Sequence, residues 1–115
     1  MTTWRRMLDE FEADLYDVPP PRFFRVERGE VEIKRYEDGE IRLEVAFFGL
    51  KLADGESVDL VVEGQRVCSL EIRRGRGRAE LSASAGASLP VVQGGAVAEI
   101  QHQGLAKLRG VFHRD

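Results

Sequence analysis

The sequence predicts an all-β protein: an antiparallel β-sandwich of about seven strands with an N-terminal amphipathic α-helix. Three observations predict it. Apolar and polar residues alternate with period two from about residue 30 to residue 112. Turn signals recur every 8 to 12 residues along that stretch, a spacing typical of sandwiches and barrels. Before it, Trp4, Met7, Leu8, Phe11 and Leu15 fall at i, i+3, i+4, i+7 and i+11, a single stripe at helical spacing.

The helix is expected over residues 1–18. Thr2 or Thr3 offers an N-cap oxygen, and Val18 before Pro19, Pro20 and Pro21 ends the helix by about residue 17. Residues 19–22 then form a stiff proline spacer, and residues 23–115 the β-domain. The helix has its charges reversed. Arg5 and Arg6 sit at the positive end of the macrodipole, and Asp14 and Asp17 at the negative end. A helix this short is marginal alone, so it needs a surface to pack on. That surface is its own β-domain, or a neighbouring subunit or partner protein. A membrane-surface role is disfavoured because the polar face is acidic.

The strands follow in order. Val31 and Ile33 share a face before the Glu37-Asp38-Gly39 turn. Ile41, Leu43, Val45 and Phe47 alternate with Arg42, Glu44, Ala46 and Phe48. Val58, Leu60 and Val62 lead into a tight hairpin at Glu63-Gly64-Gln65-Arg66. Cys68, Leu70 and Ile72 come next, then the Gly75-Arg76-Gly77 turn, then Ala79, Leu81 and Ala83. Residues 85–95 are a loop. Ala96, Ala98 and Ile100 pair through Gln103-Gly104 with Ala106, Leu108, Gly110 and Phe112.

The chain has 115 residues and a formal charge of -3, enough for one domain and one core. Residues 1–18 carry that charge, through Arg5 and Arg6 against Asp9, Glu10, Glu12, Asp14 and Asp17. The remaining residues are balanced, which disfavours charge-driven binding of nucleic acid. No apolar run is long enough to span a bilayer, and the acidic N-terminal stretch does not read as a secretory signal. With Cys68 the only cysteine, no intrachain disulfide can form. A cytoplasmic location is expected.

From residue 43 to residue 112 the chain resembles the CHRD-type β-sandwich domain of chordin and related small bacterial proteins. The likeness is carried by Gly49-Leu50, Gly64 followed by Val67, and the glycine-rich turn from Gly75 to Leu81. It continues through Pro90, Gly94 and Val97 to the closing Leu108-Arg109-Gly110-Val111-Phe112. It implies an immunoglobulin-like or CHRD-like sandwich, leaves an extracellular location open, and brings no catalytic or ligand motif.

Nothing in the sequence assembles a catalytic centre. Cys68 shares an apolar face and reads as an inert buried thiol. His102 and His113 read as strand-end histidines, with only Glu99 and Asp115 nearby as a metal set. No nucleophile elbow, P-loop or dinucleotide fingerprint is present, and no metal or cofactor is expected. The carboxylates of residues 27–63 read as a solvated strand face. The expected function is a non-enzymatic interaction or assembly module, a homo-oligomer or a binder of a protein partner. Docking is assigned to Trp4, Met7, Leu8, Phe11 and Leu15 with Phe23, Phe24 and Phe48. The alternatives are a binder of polyanions or acidic surfaces through Arg73, Arg74, Arg76 and Arg78, and a small-molecule or enzymatic domain without a recognisable motif.

Overall fold

The computed structural model describes residues 6–22, 24–84, 89–90 and 92–115. The described residues form nine strands: β1 (Met7–Asp17), β2 (Gly29–Tyr36), β3 (Ile41–Phe47), β4 (Ser57–Val62), β5 (Gln65–Glu71), β6 (Gly77–Ala83), β7 (Val97–His102), β8 (Leu105–Val111) and β9 (His113–Arg114). The strands expected from the alternation correspond to β2 through β8. There is no helix among the described residues, and the N-terminal helix expected from the apolar stripe is instead the 11-residue strand β1.

Phe11 and Leu15 explain the difference. Four residues apart, they satisfy both a helical repeat and a period of two. In the structure Phe11, Ala13 and Leu15 point inward, while Glu10, Glu12, Asp14 and Tyr16 lie on the other side. Ala13, too small to mark a stripe by itself, is wholly buried with Leu15. Leu8, which belongs only to the helical pattern, is left exposed, and so is Met7, which fits both periods but lies beyond the register shift between Met7 and Asp9. Trp4 and the expected N-cap lie outside the described residues. The reversed macrodipole charges have no consequence in a strand, and pairing on both sides satisfies the backbone.

The expected two-sheet sandwich is also corrected. All pairs are antiparallel, and the strands form one nearly closed, barrel-like sheet in the order β5-β4-β7-β8-β1-β2-β3-β6, with β9 alongside β1. The closure comes from β1. Met7 to Leu15 pairs with β2, from Phe11 opposite Ile33 to Leu15 opposite Gly29. Its end then pairs with β8, Tyr16 opposite Arg109 and Asp17 opposite Leu108, extended by Val18 N–H donating to Lys107 O at 3.0 Å. Without β1 the strands would fall into two separate sheets. Gly110 of β8 packs on the Asp14 carbonyl of β1, where any Cβ would collide.

The interior is apolar throughout. Leu15, Val31, Leu43, Leu60, Ile100, Leu108 and Phe112 are fully enclosed, and no polar or charged residue is buried among the described residues. Three hairpin loops share one solution. Glu63, Arg74 and Gln103 have φ of 49°, 53° and 52°, and each precedes a glycine that also has positive φ. Two successive left-handed residues match the twist of the flanking strands.

Leu15→Ala should lower unfolding stability by about 2–5 kcal/mol in urea denaturation, because it opens a cavity in the core. Leu8→Ala should change it by less than about 0.5 kcal/mol. A docking helix that used the whole stripe would instead make the two substitutions comparable.

Candidate functional site

The outer face of β1, β2, β3 and β6 is built by the strand register. Glu80 of β6 lies opposite Glu44 of β3, Glu44 opposite Glu32 of β2, and Glu32 opposite Glu12 of β1, with His113 of β9 next in line. The neighbouring row places Asp14 opposite Glu30. Adjacent strands are about 4.8 Å apart. Two unit charges at that separation repel by about 0.9 kcal/mol even in bulk water, and like charges directly opposite one another destabilise a sheet.

Some of this charge is balanced locally. Lys34 Nζ lies 2.9 Å from Glu32, and Arg78 lies 3.1 Å from Glu80. Among the described residues, no lysine or arginine lies within ion-pair distance of Glu12, Asp14, Glu30 or Glu44. The carboxylate oxygens of Glu12, Asp14 and Glu30 lie within 4.8 Å of one another, and those of Glu12 and Asp115 lie equally close to an imidazole nitrogen of His113. Each trio could geometrically hold a cation.

The protonation behaviour follows from this crowding. A hydrogen bond shared with Glu30, then burial, then Asp115 push the Glu12 carboxyl up to about 8. Burial and then repulsion from Glu32 raise Glu10, and burial with Asp14 and Glu30 raises Glu27. The hydrogen bond to Glu32 raises Lys34.

An apolar margin borders the carboxylates. Phe48, on the outward side of its strand as the alternation predicts, is exposed and lies 6.0 Å from the Arg28 guanidinium. Phe24, 77% exposed, and the exposed Val26 line a separate groove with Asp17, Pro21 and Arg28. A shallow groove runs past Glu27, Glu30, Ala46, Phe48 and Arg76. Phe23 lies outside the described residues.

The other residues singled out in the sequence are dispersed. Phe11 is half-buried, and Leu15 is enclosed in the chain's own core. Arg73 and Arg76 form the base of a tight turn around Arg74-Gly75. Arg73 pairs with Glu71 at 2.7 Å and Arg78 with Glu80, so two of the four arginines are answered by their own strands. His102 contacts Glu56 at 3.1 Å and His113 contacts Asp115 at 3.4 Å, each at a strand end with its own carboxylate. Cys68 is half-buried. Burial and then Asp59 raise its thiol pKa, which is the reverse of activation.

No family model, curated protein or solved structure matches the chain. Among the described residues, no helix is long and apolar enough to cross a membrane.

The carboxylate row was missed in the sequence because it exists only across strands. One local signal was present. Glu10-x-Glu12-x-Asp14 and Glu30-x-Glu32 repeat acids at the strand period, which places them on one face.

Glu12 yields a pH prediction. Its folded pKa lies above the ordinary glutamate value, so the folded state holds the proton more tightly than the unfolded state. The stability this provides is complete at low pH and is lost as pH rises from about 4.5 to about 8. Glu12→Gln should flatten that part of the stability profile and raise stability at pH 8 by about 1 kcal/mol, the screened scale of surface charge pairs. Urea unfolding at pH 5 and pH 8 checks it. An unchanged slope would contradict the raised pKa.

Proposed function

We propose that this chain is a non-enzymatic interaction module whose acidic sheet face binds a cationic, partly apolar polypeptide segment. The observation that carries the reading is the in-register row Glu12–Glu32–Glu44–Glu80. When ionised, such a row opposes folding unless a cation answers it, and among the described residues only Lys34 and Arg78 pair with its members. Phe48 adds exposed apolar surface beside Glu27 and Glu30, the combination of charge and aromatic anchor that protein interfaces favour.

The face suits recognition better than catalysis. It is broad and solvated, and an acid–base pair would need a pocket that excludes water. Electrostatic attraction over such a face accelerates encounter and selects partners by sign.

A second reading is supported by Arg74 and Arg76, which make no ion pair among the described residues. Their hairpin tip could clasp an acidic surface, including the carboxylate face of a second copy.

The test uses the full chain and a synthetic peptide of alternating lysine and leucine, titrated at several salt concentrations. Affinity should fall steeply with salt, and a glutamate-for-lysine peptide should not bind. Replacing Glu12, Glu32 and Glu44 together with Gln should weaken binding by about 10-fold or more while leaving the fold as stable or more stable at neutral pH. Affinity unaffected by the triple replacement would refute the reading. Sedimentation of the chain alone at low salt addresses the second one, because self-association through the hairpin should disappear in Arg74→Gln/Arg76→Gln.

A further inference from the structure

Asp9 and Arg35 are out of character for their positions. They oppose each other in register on the inward side of β1 and β2, directly above the apolar pair Phe11 and Ile33. The Arg35 guanidinium pairs with Asp9 Oδ2, and Arg114 of β9 reaches Asp9 Oδ1 at 2.9 Å. The Asp9 side chain is only 13% exposed, whereas those of Arg35 and Arg114 are 46% and 65% exposed. One enclosed carboxylate thus holds two guanidiniums that face solvent. Each guanidinium has five N–H donors, more than Asp9 can accept, and the trio carries a net positive charge.

Asp9 and Arg35 themselves line a half-open cavity of about 220 Å³ at the end of the barrel, whose other walls come from Phe11, Ile33, Ile41, Pro90 and Val92. Its walls away from Asp9 and Arg35 are mostly apolar and offer a ligand tail contact surface with few competing hydrogen-bond partners. The mouth of a β-barrel is a common place for such a site.

We propose that this cavity binds a small amphipathic anion, a carboxylate with an unbranched aliphatic tail. The tail enters between Phe11, Ile33 and Ile41, and the headgroup takes the free donors of Arg35 and Arg114. At about 30 Å³ per water-sized group, the volume suits a tail of about seven carbons. Asp9 acts as a positioning residue that holds both guanidiniums at the rim.

Calorimetric titration of the full chain with octanoate tests this, with acetate and 1-octanol as controls. Octanoate should bind saturably and about 10-fold or more tightly than either control. Arg35→Gln, which leaves Asp9 held by Arg114, should weaken octanoate by about 10-fold and leave octanol unchanged. Ile41→Phe, which fills the cavity, should weaken both. Thermal unfolding of each variant establishes that it is folded. The proposal is overturned if octanoate fails to saturate at millimolar concentration, if octanol binds equally well, or if folded Arg35→Gln or Ile41→Phe binds octanoate like the parent chain.

Discussion

The architecture depends on one strand serving two neighbours at once. β1 gives most of its length to β2 and its last residues to β8, and by doing so turns two antiparallel sheets into one wrapped sheet. The crossing requires the backbones to come close, and Gly110 permits that by presenting no side chain to the Asp14 carbonyl. Leu15, buried at the same crossing, ties the register of β1 to the core. Because a slip of one residue would turn Leu15 and Ala13 outward and Glu12 and Asp14 inward, the arrangement has one acceptable register.

That register also determines the chemistry of the surface. The alternation that brings Phe11, Ile33, Leu43 and Leu81 together inside brings Glu12, Glu32, Glu44 and Glu80 together outside. The apolar row stabilises the fold, and the acidic row weakens it by smaller amounts that burial easily offsets. A surface kept against a stability gradient is where binding is best sought. The same logic applies to Asp9 and Arg35, which occupy inward positions where an apolar pair would pack better.

Much of the fold was legible in the sequence. β2 to β8 follow from alternation because they bury mainly one face, with Val61 at the β4 register shift the exception, and the Gly64 and Gly104 hairpins from their turn chemistry. β1 was not legible, since Phe11 and Leu15 fit two periods and Ala13 is too small to decide between them. The choice was made by β2 and β8, which offer hydrogen bonds along the whole strand, and no local property of residues 7–17 records that. The candidate site was hidden for the same reason. Individual glutamates look like ordinary solvated residues, and only the pairing shows that four of them stand in line. Parity did place Phe48 correctly on the outside, because it needs no knowledge of partners.

The shared strand has a consequence for how the protein is made. Synthesis proceeds from the N-terminus, and the hairpins β4–β5 and β7–β8 can close locally soon after they emerge. β1 precedes the other eight described strands, yet two of its three partners, β8 and β9, are the last of them to appear. Until then its inward residues, Phe11 to Leu15, wait beside a half-formed sheet with an open edge. Of the described strands β1 therefore waits longest for its full set of partners, and outward carboxylates such as Glu10, Glu12 and Asp14 disfavour pairing of its edge with another chain in the meantime.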